Sequence, residues 1–195
     1  MKEIVVLSGK GGTGKTSFVA AFAVLAKEQI VLGDCDVDAS NLGLLVPGKD
    51  LSEEPFFAGL RARVNEDMCS LCQECVEICR FNALSVKDNL VPKVDDLACE
   101  GCRACSVVCP EDAISYAENR AGTLYLRETE VGPLIHASLG VAQDNSGKLV
   151  TKVRERARAE AESRSIDMVL LDGPPGIGCP VHASLAGVSL VIAVT

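Results

Sequence analysis

Residues Gly9–Thr16 read GKGGTGKT and close the apolar run Ile4-Val5-Val6-Leu7. They satisfy G-x-x-x-x-G-K-[ST] in full, with Gly9, Gly14, Lys15 and Thr16 on the fixed positions. A loop poor in Cβ atoms lets backbone N–H groups turn inward around phosphate oxygens, and a helix starting at once adds its positive end. Both conditions are visible: a short buried strand before the loop, and a helix over 17–26 closed by Lys27 after it. The binding set is Gly9, Lys10, Gly11, Gly12, Thr13, Gly14, Lys15, Thr16 and Ser17, with Lys15 on the β/γ-phosphates and the Thr16 hydroxyl on Mg²⁺. The plain alternative is a glycine-rich turn without ligand.

Two further apolar runs end in acids. Ile30–Gly33 leads into Asp34-Cys35-Asp36-Val37-Asp38-Ala39-Ser40-Asn41, and Ile166–Leu171 into Asp172-Gly173-Pro174-Pro175-Gly176. In open α/β folds, ligands bind at the carboxyl ends of parallel strands. Asp172 then stands where a carboxylate supports Mg²⁺, with Gly173 beside it. Cys35 reads as a small buried apolar residue, and Asp38 has no assigned role. The stretch from Pro47 to about Asn65 reads as irregular. A strand is expected at 123–126, turns at Pro133 and Gly140, a helix to Ser163 capped by Asn145 or Ser146, and a last strand over 188–194. His136 and His182 lack ligand spacing.

Cys69, Cys72, Cys75 and Cys79 repeat thirty residues later as Cys99, Cys102, Cys105 and Cys109, and Ala83-Leu84-Ser85 repeats as Ala113-Ile114-Ser115. The spacing resembles that of two-cluster bacterial ferredoxins, in which the fourth cysteine of each run serves the other cluster. The resemblance implies one [4Fe–4S] cluster on Cys69, Cys72, Cys75 and Cys109, and another on Cys99, Cys102, Cys105 and Cys79. Two C-x₂-C pairs can hold zinc, but two full four-cysteine runs exceed a simple zinc site. Arg80, in the place of the proline that ends the second run, is expected to raise the potential of a nearby cluster. A purely structural role for the clusters stays open.

Lys10 gives the loop its K-G-G-T-G-K-T form, which resembles the MinD/ParA family of P-loop ATPases, a group that includes the nitrogenase iron protein and Mrp-type Fe–S carriers. The likeness implies that Lys10 reaches the partner's phosphates across an ATP-sandwiched homodimer. It also places Asp34, Asp36 and Asn41 in a first switch, with Asp36 orienting water and helping to hold Mg²⁺, and Asp172-Gly-Pro-Pro-Gly in a second. Lys10, Lys15 and Asp36 are thus the expected catalytic residues. In the nitrogenase iron protein a cysteine after the second switch binds a shared cluster; Cys179 invites the comparison, though its spacing differs. Relatives continue beyond the point where this chain stops, so the C-terminal part of the ATPase domain, with the base-contacting segment, is expected to be missing.

Composition narrows the partners. The 195 residues are 48% hydrophobic, enough for one α/β domain with an insert. A net charge of −8 and a pI near 4.8 argue against nonspecific nucleic-acid or anionic-membrane binding. Tryptophan is absent, leaving little for base stacking. No run has transmembrane length, no signal peptide is visible, and no basic amphipathic helix suggests MinD-like membrane cycling. A cytoplasmic location follows, and there ten cysteines point to metal or redox chemistry.

The expected architecture is a parallel-sheet P-loop domain over 1–63 and 118–195, interrupted by an α+β ferredoxin-like 2×[4Fe–4S] domain over 64–117. The expected function is an ATPase coupling MgATP binding or hydrolysis to electron transfer through two [4Fe–4S] clusters, with ATP/ADP and an unidentified redox or Fe–S client as partners. The alternatives are an Fe–S carrier ATPase and a non-catalytic, nucleotide-sensing electron carrier.

Overall fold

The computed structural model describes every residue except Glu28, Asn89, Ala142, Asp144 and Asn145. The elements in chain order are β1 (Lys2–Ser8), α1 (Lys15–Ala26), β2 (Val31–Asp34), α2 (Leu42–Leu45), β3 (Gly48–Val64), α3 (Glu74–Glu77), β4 (Leu84–Ser85) and β5 (Lys93–Val94). There follow α4 (Ala104–Val107), β6 (Ile114–Thr129), β7 (Gly132–Leu139), α5 (Ser146–Ser163), β8 (Met168–Pro175), α6 (Cys179–Leu185) and β9 (Leu190–Val194). The chain forms two compact units, one of residues Met1–Phe56 with Ala121–Thr195, the other of Phe57–Arg120.

In the first unit the sheet is mainly parallel. Among the described residues the strand order is β3-β6-β7-β2-β8-β1-β9. β8 lies between β1 and β2, parallel to both, and β9 runs parallel to β1 on its other side. Such strands are covered on both faces, which is why they read as continuous apolar runs. Alternate side chains sort accordingly. Val5, Val31 and Leu171 point with Leu149 and Val153 of α5 into one core, while Ile4, Val6, Leu32 and Leu170 point with Val19 and Ala23 of α1 into the other.

Two expectations are corrected. The stretch read as irregular is β3, seventeen residues long. Its first nine side chains include no buried one, so the period-2 signal of a half-buried strand is missing; β3 is held instead by backbone pairing with β6. Pro133 marks no turn: it sits inside β7 opposite Glu128, and the reversal falls at Glu130–Val131. The helix expected to be capped by Asn145 or Ser146 is α5, which begins at Ser146; Asn145 lies outside the described residues.

A buried charge network ties β1 to the helices. Arg154 on α5 donates from Nε to Glu3 Oε1 at 2.7 Å, and its other nitrogens donate to the carbonyls of Ala183 and Ala186 at the end of α6. Arg158 donates to the second oxygen of Glu3. Because Arg154 and Glu3 are almost wholly buried, removing one leaves the other a poorly solvated charge. Arg154→Ala is therefore expected to destabilise the chain by about 3–5 kcal/mol, measured as a shift of the urea midpoint, whereas Lys152→Ala in the exposed Lys152–Glu155 pair should shift it hardly at all.

Candidate functional site

The loop between β1 and α1 is an open cradle. Gly12 and Gly14 hold φ of 81° and 87°, the left-handed region that favours glycine. A Cβ at Gly9, Gly11, Gly12 or Gly14 would meet no atom within 4 Å, so crowding by the protein is not what excludes side chains there. α1 begins at once, with Phe18 N–H donating to Gly14 O at 2.9 Å, and Ser8 Oγ braces the loop by donating to Lys10 O at 2.9 Å. Thr13 Oγ1 is buried without a hydrogen-bond partner, a polar atom awaiting one. Thr16, Ser17, Asp36, Asp38, Asn41, Pro174 and Pro175 line the same cleft. These features fit a bound polyphosphate.

The acids behind the cradle come from adjacent strands. Asp34 of β2 and Asp172 of β8 stand side by side in register. Lys15 Nζ donates to Asp172 Oδ1 at 2.5 Å, with both side chains buried. Asp34 is fully buried and accepts from Ser40 Oγ at 2.7 Å and from the N–H groups of Asp36 and Leu42 at 3.1 Å each. Burial, and next to it the charge of Asp172, outweighs these bonds and pushes its carboxyl up to about 6. Burial also raises Asp36 above the usual carboxylate range, against the pull of Lys15.

Thr16 and Asp36 thus share the cleft, while Asp172 sits beneath Lys15. Among the described residues no three His, Cys, Asp or Glu side chains converge on one ion position. Lys10 is exposed, and Gly173 is packed so closely on Val6 O and Leu7 that a Cβ would clash. Sequence reasoning missed Ser40; its place two residues past Asp38 carried no signal for a bond back to Asp34.

The second unit repeats its backbone as it repeats its sequence. Leu71 and Gly101 both hold φ of 61°, Gln73 and Arg103 hold 66° and 69°, and Asn82 and Asp112 hold 51° and 50°. Each pair is thirty residues apart. The N–H of Ala83 donates to Cys79 Sγ and that of Ala113 to Cys109 Sγ, both at 3.3 Å. Cys79 of the first run lines one cavity together with Cys99, Cys102 and Cys105 of the second. Cys75 lies within electrostatic reach of Cys105, Cys72 and Cys69, and Cys79 and Cys109 both pack against the core that holds Cys75, Cys99 and Cys105. All ten cysteines are free thiols. Cysteines of both runs lining one cavity, with an N–H donor on Cys79 Sγ, suit thiolate ligation of a cluster.

Arg80 stacks on Phe81, a cavity-lining ring, with 5.5 Å from guanidinium carbon to centroid. Arg103, unforeseen from sequence, lines the same cavity and stands 5.6 Å from the ring of Tyr116, whose hydroxyl is 3.5 Å from Cys105 Sγ. Cys35 is fully buried, and burial holds its thiol far above the ordinary range. Cys179 is exposed at the start of α6, apart from the cysteine unit. His136 stacks on Tyr125, and His182 stands in the last turn of α6.

A family model described as a 4Fe–4S dicluster domain matches residues 62–116. This segment is a 4Fe–4S dicluster domain. An uncharacterized protein of Methanocaldococcus jannaschii is 35% identical over 98% of this chain, which spans 66% of that protein's length. Similar solved structures include MinD of Pyrococcus horikoshii complexed with Mg-ADP, at 15% identity and a TM-score of 0.48 over 100% of this chain and 57% of that one. The cell division ATPase MinD of Pyrococcus furiosus gives 16%, 0.43, 100% and 59%. The first unit is an α/β fold on a mainly parallel sheet, and the segment that matches the 4Fe–4S dicluster model lies in the chain between β3 and β6. No described helix is long and apolar enough to cross a membrane.

The shared cavity makes the crossing of the fourth cysteine testable. Anaerobically reconstituted protein is expected to hold about eight irons. Cys79→Ala, although in the first run, should cost the cluster of the second: iron should fall to about half, with one of two reduced EPR signals kept.

Proposed function

We propose that this chain binds MgATP at Gly9–Thr16 and couples its binding or hydrolysis to electron transfer through two [4Fe–4S] clusters. The supporting observation is the buried Lys15–Asp172 pair beneath an open glycine cradle. It holds a cation at the floor of the cleft, where phosphate oxygens would arrive.

In this reading the loop amides, Thr13 and Ser17 hold the phosphates, Lys15 neutralises the β/γ oxygens, and Gly173 gives the second switch its close seat. Thr16, Asp36 and Asp172 serve Mg²⁺, directly or through its water shell, and Asp36 also positions the attacking water. A polyphosphate entering beside Asp34, Asp36 and Asp172 adds negative charge to an acidic edge, so it needs further cations. Mg²⁺ supplies one, and Lys10 of a second copy supplies another in an ATP-dependent homodimer. Cys69, Cys72, Cys75 and Cys109 hold one cluster; Cys99, Cys102, Cys105 and Cys79 hold the other. When bound, the clusters supply one-electron transfer. The dicluster domain is taken as 64–117 and the ATPase domain as 1–63 with 118–195, in a cytoplasmic protein serving a redox or Fe–S client.

A carrier role, with a cluster as cargo, is favoured by one observation: Cys72 and Cys102 are exposed. Cargo passes to an apo-ferredoxin, whereas a relay keeps its iron.

The test is a redox titration monitored by EPR, with and without a non-hydrolysable MgATP analogue. A nucleotide-dependent shift of tens of millivolts is expected, about 59 mV being tenfold for one electron. Lys15→Ala should weaken nucleotide binding by about 10- to 100-fold and remove the shift. An unchanged potential with nucleotide demonstrably bound would count against coupling and for the carrier.

A further inference from the structure

Arg127, on β6, is held in an unusually complete set of contacts for a residue outside the nucleotide cleft. Its Nε donates to Asp50 Oδ1 at 2.7 Å and its Nη2 to Asp50 Oδ2 at 3.0 Å, a two-pronged pairing with a carboxylate of β3. Its remaining nitrogen, Nη1, donates to the backbone carbonyl of Gly43 at 3.2 Å. Gly43 lies in α2, two residues past Asn41 and directly after Leu42, whose N–H bonds Asp34. A Cβ at position 43 would stand 2.7 Å from Arg127 Nη1, so glycine is what lets the guanidinium reach the chain.

The geometry points to Arg127 as a positioning residue: chelated by Asp50, it pins the acidic-loop segment 36–45 to β3 and β6. Those strands are the ones through which the chain enters and leaves the dicluster unit. The oxygen of Asp50 that accepts from Arg127 Nε, Oδ1, also lies 3.3 Å from His136 Nε2, whose ring stacks on Tyr125 with centroids 4.9 Å apart. A planar guanidinium can satisfy a carboxylate and a carbonyl at once; an ammonium cannot match that fork. The charge on Asp50 keeps Arg127 in one rotamer, and the rotamer fixes the distance to Gly43 O. On the MgATP reading, movement of the segment carrying Asp36 pulls on Gly43 and so on the strands. The pinning itself does not depend on that reading.

The experiment is amide hydrogen exchange on the full chain with its clusters reconstituted, comparing wild type with Arg127→Gln, Arg127→Lys and Asp50→Asn. Exchange over 41–46 without nucleotide should rise about tenfold in Arg127→Gln, remain intermediate in Arg127→Lys, and rise in Asp50→Asn although the arginine is present. P-loop amides should be unaffected. Gly43→Ala, which leaves Arg127 and Asp50 intact, should loosen the same segment. Equal exchange over 41–46 in wild type and Arg127→Gln would overturn the proposal. A parallel series with the MgATP analogue separates the two readings. Protection that spreads from the P-loop to 48–56 in wild type but not in Arg127→Gln supports transmission. P-loop amides left unprotected in both proteins would sink the nucleotide reading, while the nucleotide-free comparison still decides the pinning.

Discussion

An ammonium and a carboxylate taken out of water together set the geometry of the first unit. Lys15 and Asp172 are each too buried to be solvated alone, and the desolvation of such a pair costs several kcal/mol per ion unless each faces the other. Their meeting demands that β1 and β8 run parallel as neighbours, that both end at the same edge, and that α1 begin without delay after the loop. Once those demands are met, β2 on the other side of β8 delivers Asp34 to the same edge. Asp34 has no cation of its own. It is kept by three hydrogen bonds from Ser40, Asp36 and Leu42, and these fold the acidic loop back across the strand end.

The second unit is organised differently. It has little regular structure, and its small apolar core is built around the cysteines themselves, with Cys75, Cys99 and Cys105 buried among Ala62, Leu84 and Ile114. A domain of this size is marginal on packing alone, and ligation of iron would supplement it. The duplicated left-handed positions show what the ligand spacing requires of the backbone. Between cysteines three apart the chain must turn sharply enough to bring thiols to one cavity, and Leu71, Gln73 and their partners Gly101 and Arg103 adopt positive φ to do so. For non-glycine residues this is a strained conformation, held by the contacts around it.

Local patterns made much of this legible. The loop GKGGTGKT, the buried strands and the eight cysteines announce themselves because each depends on neighbours in the chain: a glycine's torsions, an apolar run, a spacing. β3 was invisible because a long exposed strand held by backbone pairing leaves no periodic trace in its side chains. Ser40, Arg103, Arg127 and Gly43 were equally silent, since a serine or arginine in a polar stretch looks the same whether or not it has a partner.

The amino-acid sequence by itself determined the chemistry available: a glycine-rich loop of P-loop form, acids at and just past two strand ends, and two sets of four thiols. Only the tertiary structure decided which of these meet. It set Lys15 on Asp172 across 157 residues of chain, Asp34 under Ser40, and Cys79 in the cavity of the second run. The division is physical. Torsional preference and hydrophobic period act within a few residues and can be read along a line, whereas a buried charge or thiol is placed by strand order and register, which exist only once the sheet has formed.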